Sequence, residues 1–415
     1  MGSYYTPTKV AKKLIANLNI TSTDKVLDPC CGTGNFLLQL PPTVPFENIY
    51  GNDIDSTSVK ITRLNMALKY DNLSVDVIME HITENNYLTD SQKQNFQYII
   101  GNPPWGYEFS EDEKAKLKGI YKTASNKNIE SYDLFIERAL KNLSTNGQLS
   151  YVLPEAVLNV KAHTGIRNII MQSNSIQYLE FLGNTFDGVQ CPCIILQLMH
   201  TNQPLSTVGM TVKTPERTIH IAIKRKVTAE YFSFLTTDPE YEILEKIKHT
   251  TSVAFLENNA DFALGIVTGN NKKYISSQKA NHNEIVLKGS DICKYHIRQA
   301  HNYIVFNPEH FQQVAPAKMY RAPEKLLYRF ISNQLVFAYD DKQTLSLNSC
   351  NIVIPKLEGA KTKYILAILN SRVAQFIYKM EFHSLKVLRS HIESIPIPIV
   401  EENVQDNIIQ LVDAF

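Results

Sequence analysis

The chain has 415 residues, enough for two domains, and its 44% hydrophobic and 20% charged content is ordinary for a globular protein. No apolar stretch approaches the ~20 residues of a membrane span. A net charge of +1 excludes a uniformly basic coat. Met1-Gly2-Ser3-Tyr4-Tyr5 lacks signal-peptide character, and the six cysteines show no disulfide framework, so a reducing cytoplasm is the expected location. Cys191-Pro192-Cys193 has no second Cys/His cluster at ligand spacing, so buried thiols are expected there and no metal.

In chain order, Thr6 reads as an N-cap with Pro7 behind it, opening an amphipathic helix from Thr8 to Leu18. Lys25-Val26-Leu27-Asp28 is a short strand running into Pro29-Cys30-Cys31-Gly32-Thr33-Gly34-Asn35-Phe36 and a helical run. Strand, glycine loop and helix open a nucleotide-binding βα unit, but no third glycine follows, so this is not the dinucleotide fingerprint. An amino-acid carboxylate would suit such a helix start better than a pyrophosphate. Asn48 to Asp53 is a second strand ending on an acid, 25 residues after Asp28, where a ribose diol is usually gripped. Ile54 can cover one face of an adenine. Ser56 to Tyr70 reads as a helix capped by Asp55 or Ser56. Ser74 to Met79 alternates as a third strand, with Glu80 at its end; an acceptor for an adenine amine and a surface acid are the two readings there.

Phe96 to Ile100 is a fourth, buried strand broken at Gly101. Asn102-Pro103-Pro104-Trp105 follows. Two prolines remove two backbone donors and stiffen the loop. The Asn102 amide oxygen and the Asn102 and Pro103 carbonyls are then free to accept from a ring amino group. Two acceptors out of the ring plane favour a pyramidal nitrogen whose lone pair can attack, and Trp105 offers a flat face for a base. The plain alternative is a Pro-rich turn with an exposed indole. Glu108 to Lys127 is polar and reads as a mobile excursion. A helix over 130–142 and strands over 148–153, 176–182 and 193–199 follow, with Phe186 in the loop Gly183 to Val189. The pattern is α/β, a Rossmann-like doubly wound sheet of seven strands with an antiparallel edge.

Thr6-Pro7, the Asp28 to Phe36 loop, Asp53 and Asn102-Pro103-Pro104-Trp105 together resemble the motifs of adenine-N6 DNA methyltransferases. Their order is similar to that of the gamma class, specifically the TaqI type. The resemblance implies an S-adenosylmethionine-dependent sheet and a cofactor site at Asp28, Gly32, Gly34 and Asp53, with Cys30 and Ile54 as further candidates beside them. It puts Thr6 near the methionine end and Glu80 in place of the acid that reaches the cofactor adenine. It implies that Asn102 and Pro103 hold the target amine, with Pro104 stiffening the loop, and that Trp105 and Phe186 pack the two faces of a flipped base. Two departures stand: Trp105 where tyrosine or phenylalanine is commoner, and Glu80 where aspartate is usual.

From about residue 241 the pattern changes, dividing the chain into a catalytic domain over 1–240 and a mixed α+β target-recognition domain over 241–415. Strands are expected over 325–329 and 335–339, one amphipathic helix over 364–380, and an edge segment at Ile395-Pro396-Ile397-Pro398. Residues 272–329 carry ten basic against four acidic side chains, a net +6, as a face meeting phosphates would. Leu287 to Ile292, Asn370-Ser371-Arg372 and the Ile-Pro-Ile-Pro stretch resemble target-recognition domains of restriction–modification enzymes. The expected partner is double-stranded DNA. Any cleavage would need a separate nuclease. A protein glutamine methyltransferase, an RNA adenine methyltransferase and an inactive DNA-binding subunit are the rival readings; the first needs no large C-terminal domain.

Overall fold

The computed structural model describes residues 6–91, 94–125, 129–186, 188, 191–250, 252–382 and 386–414; Met1 to Tyr5, Lys127 and Val189, named above, lie outside these. The chain divides into two compact units, Met1–Asp238 and Pro239–Phe415. Among the described residues no helix is long and apolar enough to cross a membrane.

The first unit opens with α1 (Thr8–Ala16), β1 (Val26–Asp28) and the single turn α2 (Asn35–Leu38). Next come β2 (Ile49–Asp53), α3 (Ser56–Lys69), α4 (Val75–His81), β3 (Ile82–Glu84) and β4 (Phe96–Gly101). Then follow α5 (Glu111–Lys118), α6 (Ser131–Asn142), β5 (Leu143–Pro154), α7 (Ala156–Asn159) and α8 (Thr164–Ser173). The unit ends with β6 (Asn174–Asn184), β7 (Pro192–His200), β8 (Thr211–Lys213) and β9 (Thr218–His220). The sheet order is β3-β2-β1-β4-β5-β7-β6-β8-β9. β1 pairs parallel with both β2 and β4, and β7 runs antiparallel between β5 and β6. The described sheet therefore has nine strands, not seven: the β8–β9 hairpin extends it beyond β6.

Successive residues of the central strands serve opposite cores, Leu27 and Ile99 one, Val26, Tyr98 and Ile100 the other. Helices cover both faces, so these strands read as continuous apolar runs. Truncating Ile99 to alanine there costs about 2–5 kcal/mol. The crossing point between β1 and β4 opens a crevice at the carboxyl ends of the strands.

Three expectations are corrected. Ser74 to Met79 is not a strand: Ser74 Oγ accepts from Val77 N (3.3 Å) and starts α4, which buries only Ile78. Glu80 consequently lies exposed on a helix, and β3 ends three residues beyond α4 at Glu84. The 108–127 segment is no mobile excursion where it is described. Ser110 and Glu113 form a capping box, and Leu117, Tyr121 and Ala124 are buried. Thr6 does not cap α1, whose first turn follows Pro7 without a side-chain cap.

The second unit holds two four-stranded sheets. One runs Ala260–Ala263, Cys350–Pro355, Lys325–Arg329, Phe337–Asp340; the other Ile275–Ser276, Tyr303–Ile304, Glu284–Leu287, Leu345–Ser346. The helix expected over 364–380 is two, Thr362–Asn370 and Arg372–Glu381. Ser371 is extended between them, and its side chain accepts from Ala374 N to cap the second. Asn370 turns inward and pairs with the Phe337 backbone through both ends of its amide (2.9 and 3.0 Å). Several of the ten basic residues are structural. Lys325 is wholly buried and paired with Asp340 at 2.5 Å, and Arg321 forks onto Glu284 at 2.6 and 2.7 Å. Lys272, Lys273, Lys279, Arg298 and Lys318 are exposed.

Candidate active site

The site is built on strand ends. Beyond β1 the chain turns through Gly32 (φ +52°) and Gly34 (φ +86°), left-handed values that strain other residues. Asp53, at the end of neighbouring β2, ties this turn down: its Oδ2 accepts from Gly32 N (2.8 Å) and its Oδ1 from Asp55 N (2.9 Å). Parallel pairing of Asp28 with Gly51 brings the two loops together. Asp28 itself is completely buried, and Cys30 N donates to its Oδ1 at 3.2 Å. Burial, with the Asp53 charge adding, pushes the Asp28 carboxyl up to about 8. Burial likewise pushes the Cys30 thiol up, so it is no nucleophile.

At the end of β4, Gly101 has φ +143°, and a Cβ there would meet Asp28 Oδ1 at 2.6 Å. Only glycine lets the two loops approach so closely. The chain then enters Asn102-Pro103-Pro104-Trp105. Asn102 Nδ2 donates to Thr6 Oγ1 (3.0 Å), whereas Asn102 Oδ1 is buried with no partner among the described residues. Ser131, at the start of α6, donates to the Pro104 carbonyl at 2.5 Å. The Trp105 and Phe186 rings pack edge-on, centroids 5.0 Å apart at 81°.

These strand ends surround a cavity of about 980 Å³. Cys30, Gly32, Asp53, Ile54, Asn102, Pro103, Pro104 and Trp105 line it, as the sequence led one to expect. Thr6, Asp28, Gly34, Glu80 and Phe186 do not line it. Thr6, Asp28 and Gly34 lie behind the wall: Thr6 on Asn102, Asp28 against Gly101, Gly34 against Thr62. Phe186 cannot face Trp105 across a base while it touches it. Glu80 is corrected, since α4 carries it away; Asn85 and Asn86, immediately past β3, line the cavity in its stead. Tyr107, Phe109 and Glu113 supply a further wall that sequence reasoning missed. The signal for it was Ser110-x-x-Glu113, a helix-start pattern. Nothing in the sequence pointed to Ser131, which reads there as an ordinary helix start.

The residues fit a nucleoside cofactor beside an amine substrate. A carboxylate, Asp53, stands at the end of β2, Ile54 beside it is 68% exposed, and Asn102 Oδ1 is buried without a partner among the described residues.

Residues 1–232 match the family model described as N-6 DNA Methylase, and residues 284–397 the TaqI-like C-terminal specificity domain. The type II methyltransferase M.VspI of Vibrio sp. (strain 343) is 28% identical over 303 residues, 71% of each chain. M.HincII of Haemophilus influenzae is 24% identical over 204 residues, 48% of this chain and 37% of that one. The structure of the type IIL restriction-modification enzyme MmeI in complex with DNA aligns with TM-score 0.60 at 12% identity, covering 98% of this chain and 67% of that one. Identity so low speaks for the fold alone. The methylase model covers more than half of the chain, which therefore belongs to the N-6 DNA methylase family and is a TaqI-like DNA methyltransferase of the N6-adenine class.

Proposed function

We propose that the chain methylates the N6 amine of an adenine turned out of duplex DNA at one sequence, using S-adenosylmethionine, as the modification enzyme of a restriction–modification system. The carrying observation is the buried, unpartnered Asn102 Oδ1 on a loop that shares one cavity with the Asp53–Gly32 corner. S-adenosylmethionine supplies an electrophilic methyl group on a sulfonium. Asp53 holds the ribose hydroxyls, and Ile54 covers the cofactor adenine. Asn85 and Asn86 take the position first given to Glu80, at the purine edge.

Asn102 Oδ1 and the Pro103 carbonyl accept the two N–H bonds of the target amine and aim its lone pair. Such acceptors act through orientation and fixed dipoles, with no covalent enzyme intermediate. The base must leave the duplex to reach them, and Trp105 replaces part of its lost stacking. The glutamine-methylating alternative leaves the TaqI-like specificity domain over 284–397 without a task. Expression in a host without adenine methylation, followed by modification-sensitive sequencing, tests the reading. N6-methyladenine at one recurrent sequence is expected; cytosine marks, or no mark from soluble folded protein, would overturn it.

A further inference from the structure

The Asn-Pro-Pro-Trp loop has an unusual problem. Pro103 and Pro104 have no N–H, so the middle of the loop cannot be held by its own backbone amides. Its chemistry also reserves two acceptors, Asn102 Oδ1 and the Pro103 carbonyl. Whatever fixes the loop must use the polar groups that remain. Two hydroxyls do so. Thr6 Oγ1 takes Asn102 Nδ2 (3.0 Å), and Ser131 Oγ takes the Pro104 carbonyl (2.5 Å). Both residues are buried, Thr6 at 9% and Ser131 at 1% exposure. Neither bond consumes an atom the amine needs.

The Thr6 contact also decides which end of the amide faces inward. With Nδ2 committed to the hydroxyl, the oxygen is the end of the amide left buried and without a partner among the described residues. A reversed amide would offer N–H donors to a substrate that is itself a donor. Thr6 is in turn anchored to the glycine loop. Asn35, the first residue of α2, donates its Nδ2 to the Thr6 carbonyl at 2.6 Å. The same residue thus joins the cofactor loop to the catalytic loop.

We propose that Thr6 and Ser131 are positioning residues that clamp the two ends of the catalytic loop, Thr6 by holding the Asn102 oxygen inward and Ser131 by fixing the Pro104 carbonyl. The clamp rests on Asn102 being the amine acceptor. It gives Thr6 a task other than touching the methionine end of the cofactor. A net hydrogen bond to an uncharged partner is worth about 0.5–1.5 kcal/mol, so each loss should slow transfer about three- to tenfold.

Single-turnover methyl transfer to unmethylated genomic DNA, with calorimetric S-adenosylmethionine binding, should be measured for Thr6→Val, Thr6→Ser, Ser131→Ala, Asn102→Ala and the Thr6→Val/Asn102→Ala double variant. The clamp predicts that Thr6→Val and Ser131→Ala slow transfer at nearly unchanged cofactor affinity. It predicts that Thr6→Ser restores the rate and that the double variant is no slower than Asn102→Ala alone. Full-rate transfer by Thr6→Val beside an inactive Asn102→Ala overturns the clamp and spares the acceptor reading. Weakened cofactor binding with an intact transfer rate makes Thr6 a cofactor contact and also overturns it. Full activity of Asn102→Ala removes the acceptor reading itself, and the clamp with it.

Discussion

Trp105 and Phe186, 81 residues apart in the chain, touch edge-on at a centroid distance of 5.0 Å. A base held between two rings needs them parallel with its own thickness open between them, and these rings offer neither. A flipped adenine must therefore use a Trp105 face that Phe186 leaves free, or displace Phe186. Either way Trp105 carries the stacking, worth about 1–3 kcal/mol. Trp105→Ala should slow turnover roughly ten- to a hundredfold and lower the fluorescence of 2-aminopurine at the target position, while Trp105→Phe and Trp105→Tyr are tolerated. Phe186→Ala should have the smaller effect. Unchanged fluorescence and turnover in Trp105→Ala would remove the stacking role.

Asp53 spends one oxygen on Gly32 N and the other on Asp55 N, so it both shapes the glycine turn and presents its carboxylate to the cavity. Asp53→Ala should weaken S-adenosylmethionine binding by ~1.5–3 kcal/mol, the value of a hydrogen bond to a charged group, with DNA affinity nearly intact. Calorimetric titration reads this directly. An unchanged cofactor dissociation constant would contradict it.

How much was legible follows from how each signal arises. β1, β2 and β4 lie in the middle of a sheet covered on both faces, so they are short apolar runs ending on Asp28, Asp53 and Gly101. Those ends are the site, which is why eight of the thirteen site residues named from sequence line the cavity. α4 was misread because Val75, Val77 and Ile78 are β-branched. The Ser74 cap was the stronger signal, since exposed β-branched residues cost a helix little when its start is fixed. The 364–380 periodicity masks the break at Ser371 because both helices bury apolar residues, Ile365, Leu366 and Leu369 and then Ile377 and Tyr378, in one core, and the capping serine marks the break. Thr6 and Ser131 meet the loop across 96 and 27 residues of chain, and Asn35 meets Thr6 across 29, separations that no local pattern encodes.

The Asp28 carboxyl gives the ligand-free chain a pH signature. Its pKa rises from 3.8 to about 8 on folding. The folded chain then keeps a proton that the unfolded chain releases between about pH 4 and pH 8. The contribution of this group to stability is most favourable below that window, falls as pH rises through it and levels off above about 8. Melting temperatures of the ligand-free protein should fall less from pH 5 to 8 in Asp28→Asn than in the wild type. Parallel profiles would contradict the buried, protonated state.

Charge in the second unit divides into two kinds. Lys325 is buried against Asp340, so Lys325→Ala strands a carboxylate and should destabilise that unit by about 3–5 kcal/mol. Lys272→Ala and Lys273→Ala, both exposed, should leave thermal melting unchanged and each lower the salt slope of DNA binding by about one. Filter-binding titrations across salt concentrations, with melting curves alongside, separate the two. Salt slopes unaltered by the exposed pair would move the phosphate-binding face elsewhere.

The central claim is that Asn102 Oδ1 receives the target amine, and Asn102→Ala tests it most directly. Duplex DNA with 2-aminopurine in place of the target adenine, and the same duplex with adenine, should be assayed for fluorescence and methyl transfer in parallel. The expected result is loss of transfer with cofactor binding and base-flipping fluorescence retained, since Trp105 and Asp53 are untouched. Transfer at the wild-type rate, or loss of flipping in step with loss of transfer, would contradict it.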